Sequence, residues 1–561
     1  MSIRNRKSIN FLVSNAFPGA FFLDDALWIV STDYKDLEEL PREPDIVSRT
    51  RIRQHVYDAI CRSWQTHNKA TDRNDPVPVS SDAEFVYLKY NRIRVEPGTE
   101  IFVCGKCDRV YTWDQAEGNN FRCLHDKTEQ LAQLAHIFVH GLCGEVTYIQ
   151  PQTCWNRFNG NRCDEPLRLH LEYSQMINSH WWCPKCRFER KFEQKPKEGL
   201  GWKLKDLWER CKTCSADDDH VTMTLSPART IYKPQRVDLV DMPSADHRML
   251  INEWFGEKID EIEVLKTLPD FLKKSFEEDP KTRASILERY REDQIGDSPV
   301  MSIPPTVQEE LSNLAGARSA VIRGSDTLGT NTADFLALKY GINVSLLDNL
   351  AIIRATYGCL VGGSMPEEAI LRVFPMAPPR YAVLTQRLPT EALLFELLPN
   401  QVLDWLHARD LLNDMVDEKG IREYLVTCEE EDPILVQITN LIHTASHALR
   451  RSSERYTGMG RDVVDELLFP RGMAWGLYNN RGSELGMFTT TFEGRLREWL
   501  AGTHYDLTIC PFDPICMHEK EVACPGCLYI GERGCTTLWN RYLDRRYMVT
   551  LDTSKHVGYW G

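Results

Sequence analysis

Apolar and basic residues alternate with a helical period near the start of the chain. Between residues 47 and 64 the basic side chains fall opposite Ile46, Ile52, Val56 and Ile60. An apolar stripe at this spacing buries one face of a helix and leaves the other face in water. The pattern therefore predicts an amphipathic helix on a small core.

The middle of the chain is also helical in pattern, but it is heavily charged. The pattern runs from about residue 242 to 300 and is interrupted by Pro280, which is expected to separate two helices. Residues 301–330 are typical of loops around one short helix. From Phe335 onward, strand and helix patterns alternate, which predicts a mixed α/β domain.

These patterns predict an α+β multidomain protein. Residues 1–100 are expected to form an N-terminal α+β region and residues 101–241 a cysteine-rich region with zinc-ribbon or knuckle modules. Residues 242–330 are expected to form a helical connector. Residues 331–561 are expected to form a mixed α/β C-terminal domain that is closed by a zinc site.

The composition narrows the class of protein without naming a substrate. In 561 residues the apolar fraction is 42% and the net charge is -14, which argues against nonspecific adhesion to nucleic acids or membranes. No apolar run reaches membrane-spanning length, and Ser14, Asn15 and Pro18 interrupt a stretch that otherwise mimics a signal peptide. Since clustered CxxC pairs need reduced thiolates, we expect a cytoplasmic protein with no membrane partner.

The stretch from residue 516 to 545 carries the strongest metal signal. Cys524 and Cys527 enclose only Pro and Gly, a knuckle that lets two thiolates converge on one tetrahedral zinc ion. Cys516 and Cys535 lie close enough in sequence to complete the site. A pair of disulfides is the weaker alternative.

Two further zinc sites are predicted in the first half of the chain. Cys183, Cys186, Cys211 and Cys214 form two CxxC pairs at the spacing of a zinc ribbon.

The other site takes its ligands from the residues that follow Ile101. Cys104, Cys107, Cys123 and His125 are the candidate ligands, and His140 and Cys143 compete for the fourth place. With the site in the tail, about three structural Zn²⁺ ions are expected.

Two cysteines in this region have no predicted metal partner. Cys154 and Cys163 belong to no CxxC pair, so both are expected to be buried free thiols.

Basic and aromatic residues alternate in the loop between the two CxxC pairs. Lys191, Lys195 and Lys197 stand among aromatic residues that could stack on bases, and glutamates that dilute the charge favour a solvated hairpin instead. Arg541, Arg545 and Arg546 in the tail are further candidates for DNA contact.

No complete catalytic motif is present in the sequence. The glycine-containing loop at residues 323–331 has no lysine to reach a phosphate, so it is not a nucleotide-binding P-loop. His443 and His447 stand four residues apart, as in zinc proteases, with Glu466 as a conceivable third ligand, but Thr444 occupies the place of the general base. Hydrogen bonding within the domain is the favoured role of the two histidines.

The motif ACPGCLY, followed by a lone cysteine and NRYLDR, resembles the zinc-binding domain that closes MrfA-type superfamily 2 helicases and the DrmB-like subunits of DISARM anti-phage systems. Several segments after residue 335 also follow the order seen in DrmB-like proteins. The resemblance implies a noncatalytic accessory subunit that binds a DrmA-like superfamily 2 helicase and helps it engage DNA. A metal-dependent nuclease or hydrolase using His443 and His447, or a scaffold without nucleic-acid contact, are the alternatives.

Overall fold

The computed structural model describes most of the chain. The described residues are 17–23, 27–39, 49–67, 79–81, 83–90, 93–134, 136–140, 146–149, 151–154, 156–158, 161–172, 179–191, 193–194, 202–203, 221–225, 232–241, 247–255, 268–293, 304–324, 327–328, 330–361, 369–376, 379–412, 416–461, 463–480, 486–518, 523–530, 535, 540–551 and 557–561.

Helices are concentrated in the second half of the chain. Those in the described ranges are α1 (Arg49–His67), α2 (Trp113–Gly118), α3 (His247–Phe255), α4 (Asp270–Glu278), α5 (Pro280–Asp293), α6 (Pro305–Ser319), α7 (Thr330–Phe335), α8 (Pro399–Ala408), α9 (Glu418–Thr427), α10 (Pro433–Thr457), α11 (Met487–Gly494), α12 (Leu496–Thr508) and α13 (Ile515–His518).

Most described strands are short, and the two longest lie in the second half of the chain. They are β1 (Phe21–Leu23), β2 (Leu27–Val30), β3 (Glu38–Glu39), β4 (Glu84–Lys89), β5 (Val95–Pro97), β6 (Ile101–Val103), β7 (Val110–Thr112), β8 (Ala132–Gln133), β9 (His136–His140), β10 (Val146–Tyr148), β11 (Arg157–Phe158), β12 (Asn161–Arg162), β13 (Arg168–His170), β14 (His180–Trp182), β15 (Glu189–Lys191), β16 (Glu193–Gln194), β17 (Trp202–Lys203), β18 (Val221–Leu225), β19 (Tyr232–Val240), β20 (Val321–Arg323), β21 (Ile342–Val361), β22 (Ile370–Val373), β23 (Arg380–Leu397), β24 (Val464–Phe469) and β25 (Ala474–Asn479).

The chain forms two compact units, each built from three separated stretches. Unit 1 comprises Met1–Pro41, Val56–Val237 and Ala355–Gln386, and unit 2 comprises Arg42–His55, Asp238–Arg354 and Arg387–Gly561. The protein is therefore a mixed α/β, multidomain protein. None of the described helices is long and apolar enough to cross a membrane.

Two sequence predictions of helices are confirmed. Ile52, Val56 and Ile60 of α1 are all buried, as the apolar stripe predicts, while Ile46 lies outside the described residues. Pro280 is the first residue of α5 and separates it from α4. Proline is tolerated there because the first turn of a helix needs no N–H donor from that position.

Small sheets position two CxxC pairs of unit 1. Strands β6, β7 and β8 form one sheet, and β13, β14 and β15 form another. Each sheet includes an antiparallel pair, β6–β7 or β14–β15, whose connecting turn contains a CxxC sequence. Because a short hairpin fixes the backbone of its turn, both CxxC pairs begin from a defined geometry.

Helix α10 is the centre of unit 2. It is 25 residues long, and its buried residues include His443, His447 and Arg450 as well as apolar side chains. The helix begins where the Asp432 carboxylate accepts hydrogen bonds from two backbone N–H groups, and it ends at Gly458, whose positive φ closes the last turn. It packs against β24, β25 and α12. Polar side chains on α10 are thereby held in a protein interior.

Candidate metal centres

Four groups of side chains bring potential metal ligands together among the described residues. Within each group the ligand atoms lie within 4.8 Å of one another. We name the groups by their first member. They are the Cys104 cluster (Cys104, Cys107, Cys123, His125), the Cys154 cluster (Cys154, Cys163, Cys183, Cys186), the Cys510 cluster (Cys510, Cys516, Cys524, Cys527) and the His443 cluster (His443, His447, Glu466, Cys535).

Sulfur separations in the first three clusters fit a shared ion. Neighbouring sulfur atoms lie 3.4–3.8 Å apart. Four thiolates at about 2.3 Å from a tetrahedral zinc ion are about 3.8 Å from one another, whereas a disulfide requires about 2.05 Å. The separations therefore match metal coordination and not disulfides.

The structure brings together the four residues of the predicted Cys104 site. His125 Nδ1 lies 2.8 Å from Cys123 Sγ and 3.7 Å from Cys104 Sγ. In the turn after β6, the Asp108 N–H donates to the Cys104 carbonyl, and Asp108 adopts a positive φ of 58°. Of the competitors, Cys143 and the side chain of His140 are outside the described residues.

The Cys154 cluster corrects the sequence prediction for this region. Cys154 and Cys163 were expected to be free thiols, but they converge on Cys183 and Cys186. Strands β11 and β12 form a hairpin between Cys154 and Cys163, and the Cys163 N–H donates to the carbonyl of Asn156, which draws the two cysteines together. Because this pair closes through a hairpin, it has no CxxC spacing to reveal it. Cys211 and Cys214 lie outside the described residues.

The turns at Cys104 and Cys183 have the same backbone design. The Arg187 N–H donates to the Cys183 carbonyl, and Arg187 has a positive φ of 61°. These features match the turn at Cys104. The Cys183 sulfur also accepts the N–H of Cys186 at 3.5 Å, which orients the knuckle. Unit 1 therefore contains two copies of one metal-binding turn.

The Cys510 cluster corrects the predicted ligand set of the tail. Cys510 takes the place that was assigned to Cys535, since its sulfur lies 3.4 Å from Cys524. The Asp513 carboxylate accepts the N–H of Cys510 and fixes the start of the turn that leads to Cys516. Cys535 belongs instead to the His443 cluster. The five-residue gap between Cys510 and Cys516 was the available signal for this pairing.

Each cysteine-rich cluster contains one thiol with a lowered pKa. Burial raises the pKa of Cys123, but hydrogen bonds from Tyr111 and His125 outweigh it and lower the pKa to about 6. Burial also raises the pKa of Cys186, but hydrogen bonds, led by that from Asn156, outweigh it and lower the pKa to about 6. Burial raises the pKa of Cys524 in the same way, but hydrogen bonds led by that from the Gly526 N–H lower it below its usual value.

A second thiol in each of these clusters has a raised pKa. Burial raises the pKa of Cys107, Cys154 and Cys516 to about 12. Thiolates are the metal-binding form, and a divalent cation would supply the positive charge that the remaining thiols need in order to ionise.

The His443 cluster differs from the others in composition and burial. Helix α10 carries His443 and His447 one turn apart, β24 provides Glu466, and Cys535 comes from the C-terminal segment. His443 Nε2 lies 3.3 Å from Cys535 Sγ, and His447 Nε2 lies 3.5 Å from Glu466 Oε1. Both histidines and the cysteine are fully buried, and the Glu466 side chain is only 5% exposed.

Attraction between these groups favours the charged forms. Burial lowers the pKa of His447, but Glu466 and Cys535 outweigh it and raise the pKa to about 9. Burial raises the pKa of Cys535, but His443 and His447 lower it to about 5. Against the effect of burial, Arg450 and His447 hold the pKa of Glu466 below its usual range. The thiolate and the carboxylate are therefore the stable forms at neutral pH.

The predicted DNA-contacting residues belong to both units, Lys191 to unit 1 and the three arginines to unit 2. Lys191 lies in β15, whereas Lys195 and Lys197 are outside the described residues. Arg545 is only 2% exposed, donates to the Leu507 carbonyl and pairs with Asp513. The prediction that Arg545 contacts DNA is therefore wrong, because its guanidinium is buried and paired with Asp513. Arg546 pairs with Asp544, and Arg541 is half-buried.

Comparisons with known proteins give little further information. No protein-family model matches the chain, and no curated protein matches it. One solved structure, described as the crystal structure of the DUF1998 helicase MrfA bound to DNA, is 14% identical over 34% of this chain and 20% of that chain, with a TM-score of 0.20. The chain therefore spans about a fifth of the length of that helicase.

Proposed function

We propose that this protein is a noncatalytic, zinc-stabilised accessory subunit that associates with a superfamily 2 helicase and assists its engagement of DNA in prokaryotic anti-phage defence. The zinc ions are structural and the protein works in the cytoplasm. The helicase partner and the defence role come from the likeness of ACPGCLY and NRYLDR to the tails of MrfA-type helicases and DrmB-like subunits. The structural part of the proposal comes from how this tail is built into unit 2.

The observation that carries the proposal is that the motif residues make hydrogen bonds that build the tail into unit 2. Arg451 of α10 donates to the carbonyls of Gly526 and Tyr529, at 3.1 Å each. The Asn540 side chain donates to the Ile530 carbonyl and accepts the N–H of the same residue. The first half of the motif is therefore held against the central helix, and the second half is tied to the segment that follows the first. Hydrogen bonds that position the metal-binding segment within the fold support a structural role for the metal.

Closed coordination also supports a noncatalytic role. A hydrolytic zinc site keeps one position open for water, whereas structural sites are filled by four protein ligands. All four clusters offer four protein ligands. The nuclease alternative would use His443, His447 and Glu466, but Cys535 fills the remaining position of that group and solvent has little access to it.

Apolar side chains beside the Cys510 cluster support a protein partner. Tyr505, Ile509, Phe512 and Ile515 are 51–66% exposed and lie within eleven residues of one another in sequence. Large apolar side chains that cluster at a surface are typical of interaction sites. We propose that these residues form the helicase-binding surface, next to a turn that the metal holds rigid.

Co-expression with a DrmA-like superfamily 2 helicase tests the proposal. We expect a complex that survives size-exclusion chromatography and has higher DNA affinity than either subunit. In this complex, ATP hydrolysis should belong to the helicase alone. Failure to form a complex would contradict the accessory role. DNA cleavage by the isolated protein that disappears in both His443→Ala and His447→Ala would instead support the nuclease alternative.

A further inference from the structure

The His443 cluster has the properties of a metal site that is distinct from the cysteine knuckles. We infer that it binds a fourth structural zinc ion through two imidazole nitrogens, one thiolate and one carboxylate. This ion would join α10, β24 and the C-terminal segment inside unit 2. The inference does not depend on a helicase partner, because it concerns how this unit is held together.

The orientation of His447 prepares a metal ligand. Its Nδ1 lies 3.0 Å from the Leu528 carbonyl, which can only accept, so Nδ1 carries the hydrogen. The lone pair of the neutral ring is then on Nε2, which points toward Glu466 and is fully buried. Among the described residues, Nε2 has no hydrogen-bonding partner. Metal-bound histidines commonly donate their second ring nitrogen to a carbonyl in this way.

Neighbouring side chains orient the other ligands. Ser446 donates to Glu466 Oε2, and Oε1 faces the two histidines at 3.5 and 4.0 Å and the Arg450 guanidinium at 3.2 Å. The Asn540 N–H lies 3.2 Å from the sulfur of Cys535 and stabilises a thiolate there. Such contacts fix ligand positions before the ion binds and reduce the cost of ordering the site.

Charge balance in the surrounding core favours a divalent ion. Arg354 lies 2.9 Å from both Asp238 and Asp465, and Arg450 lies 3.5 Å from Asp465 and 3.2 Å from Glu466, so two buried arginines face three carboxylates. The thiolate of Cys535 adds a fourth negative charge, which leaves the group with two negative charges in excess. Uncompensated buried charge destabilises a fold, and one Zn²⁺ with two neutral histidines cancels this excess.

The ligand types select zinc among common ions. Mg²⁺ and Ca²⁺ prefer oxygen ligands, whereas a set of two nitrogens, one sulfur and one oxygen suits a borderline ion such as Zn²⁺. Because His443, His447 and Cys535 are fully buried and the Glu466 side chain is only 5% exposed, no position is available to substrate. The competing arrangement is a metal-free cluster in which protonated histidines pair with the thiolate and the carboxylate.

A matched pair of neighbouring carboxylate substitutions separates these two arrangements. Glu466→Gln removes a ligand, whereas Asp465→Asn removes a carboxylate of the same strand that faces the arginines. We expect metal analysis of the purified full-length chain to find four zinc ions in the wild type, three in Glu466→Gln and four in Asp465→Asn. Unchanged zinc content in Glu466→Gln would overturn the inference.

A second measurement keeps the test decisive if Glu466→Gln fails to fold. Cadmium NMR of the wild-type chain reports each site separately, since the resonance moves upfield as sulfur ligands are replaced by nitrogen and oxygen. We expect one resonance well upfield of those from the cysteine-rich clusters. A spectrum containing only resonances of sites with three or four thiolates would show that the His443 cluster is metal-free.

Discussion

The Cys510 cluster and the His443 cluster lie in the same unit but are assembled in opposite ways. The first takes all its ligands from one segment of eighteen residues, 510–527, and Cys516 is partly exposed. The second collects ligands from residues 443–447, from residue 466 and from residue 535, all in the interior. A local turn can fold around its ion, whereas the interior group can form only after α10, β24 and the tail have come together. The Cys510 cluster therefore stabilises a local turn, and the His443 cluster stabilises the tertiary packing of unit 2.

The largest expected effect is loss of a ligand from the Cys510 cluster. Structural zinc contributes about 10–16 kcal/mol of apparent binding free energy in small zinc domains, so Cys524→Ser should unfold the 510–530 segment and reduce solubility. Zinc analysis and limited proteolysis of this segment are the measurements. As a control, Cys359→Ser removes a buried cysteine that belongs to none of the four clusters and should leave the zinc content unchanged. A soluble Cys524→Ser protein with full zinc content would contradict the assignment.

Loss of the carboxylate next to the His443 cluster should be smaller in effect. Asp465→Asn leaves Arg354 and Arg450 with one fewer buried partner, and removing one member of a buried ion pair costs about 3–5 kcal/mol. Urea unfolding of the zinc-loaded protein measures this change. A loss below about 1 kcal/mol would mean that the ion pairs are weaker than their burial implies.

The surface next to the Cys510 cluster should affect partner binding without affecting metal binding. A few hot-spot side chains dominate an interface and cost about 2 kcal/mol or more when they are lost, so Ile509→Asp with Ile515→Asp should weaken the helicase complex by tenfold or more. Leu338→Asp is the control, because Leu338 is 82% exposed in another segment of unit 2. Affinity measured by interferometry should fall only for the double variant. An equal loss in both proteins, or in neither, would reject this surface.

The smallest expected effect concerns the basic loop of unit 1. If Lys191, Lys195 and Lys197 contact phosphates, replacing all three by alanine should flatten the salt dependence of DNA affinity by about one unit of slope per lysine. The measurement is a salt titration of DNA binding by the helicase complex. An unchanged slope would indicate that the loop is a solvated hairpin and would favour a scaffold without DNA contact.

Local features were predictable from the sequence and tertiary pairings were not. CxxC knuckles are visible because a tight turn fixes two ligands, and the apolar stripe of α1 is visible because helical period determines its buried face. The partners of these knuckles depend on hairpins and turns of variable length, as with Cys154, Cys163 and Cys510.

The His443 cluster shows this limit most clearly. His443 and His447 were recognised as a pair by their spacing, and Glu466 was named as a conceivable third ligand. Cys535 was assigned to the wrong cluster because it is close to Cys527 in sequence, whereas the fold places its sulfur 3.3 Å from His443 Nε2. Sequence distance is a poor guide to ligands that are brought together by packing against a central helix.

The most direct test of the central claim is anomalous diffraction from crystals of the wild-type chain purified without chelator. Data collected on either side of the zinc absorption edge would locate each ion without any substitution. The account predicts four anomalous peaks, each at the centre of one of the four clusters and at tetrahedral distances of about 2.0–2.3 Å from its ligands. Absence of peaks at the cysteine clusters, or sulfur pairs joined as disulfides, would contradict it.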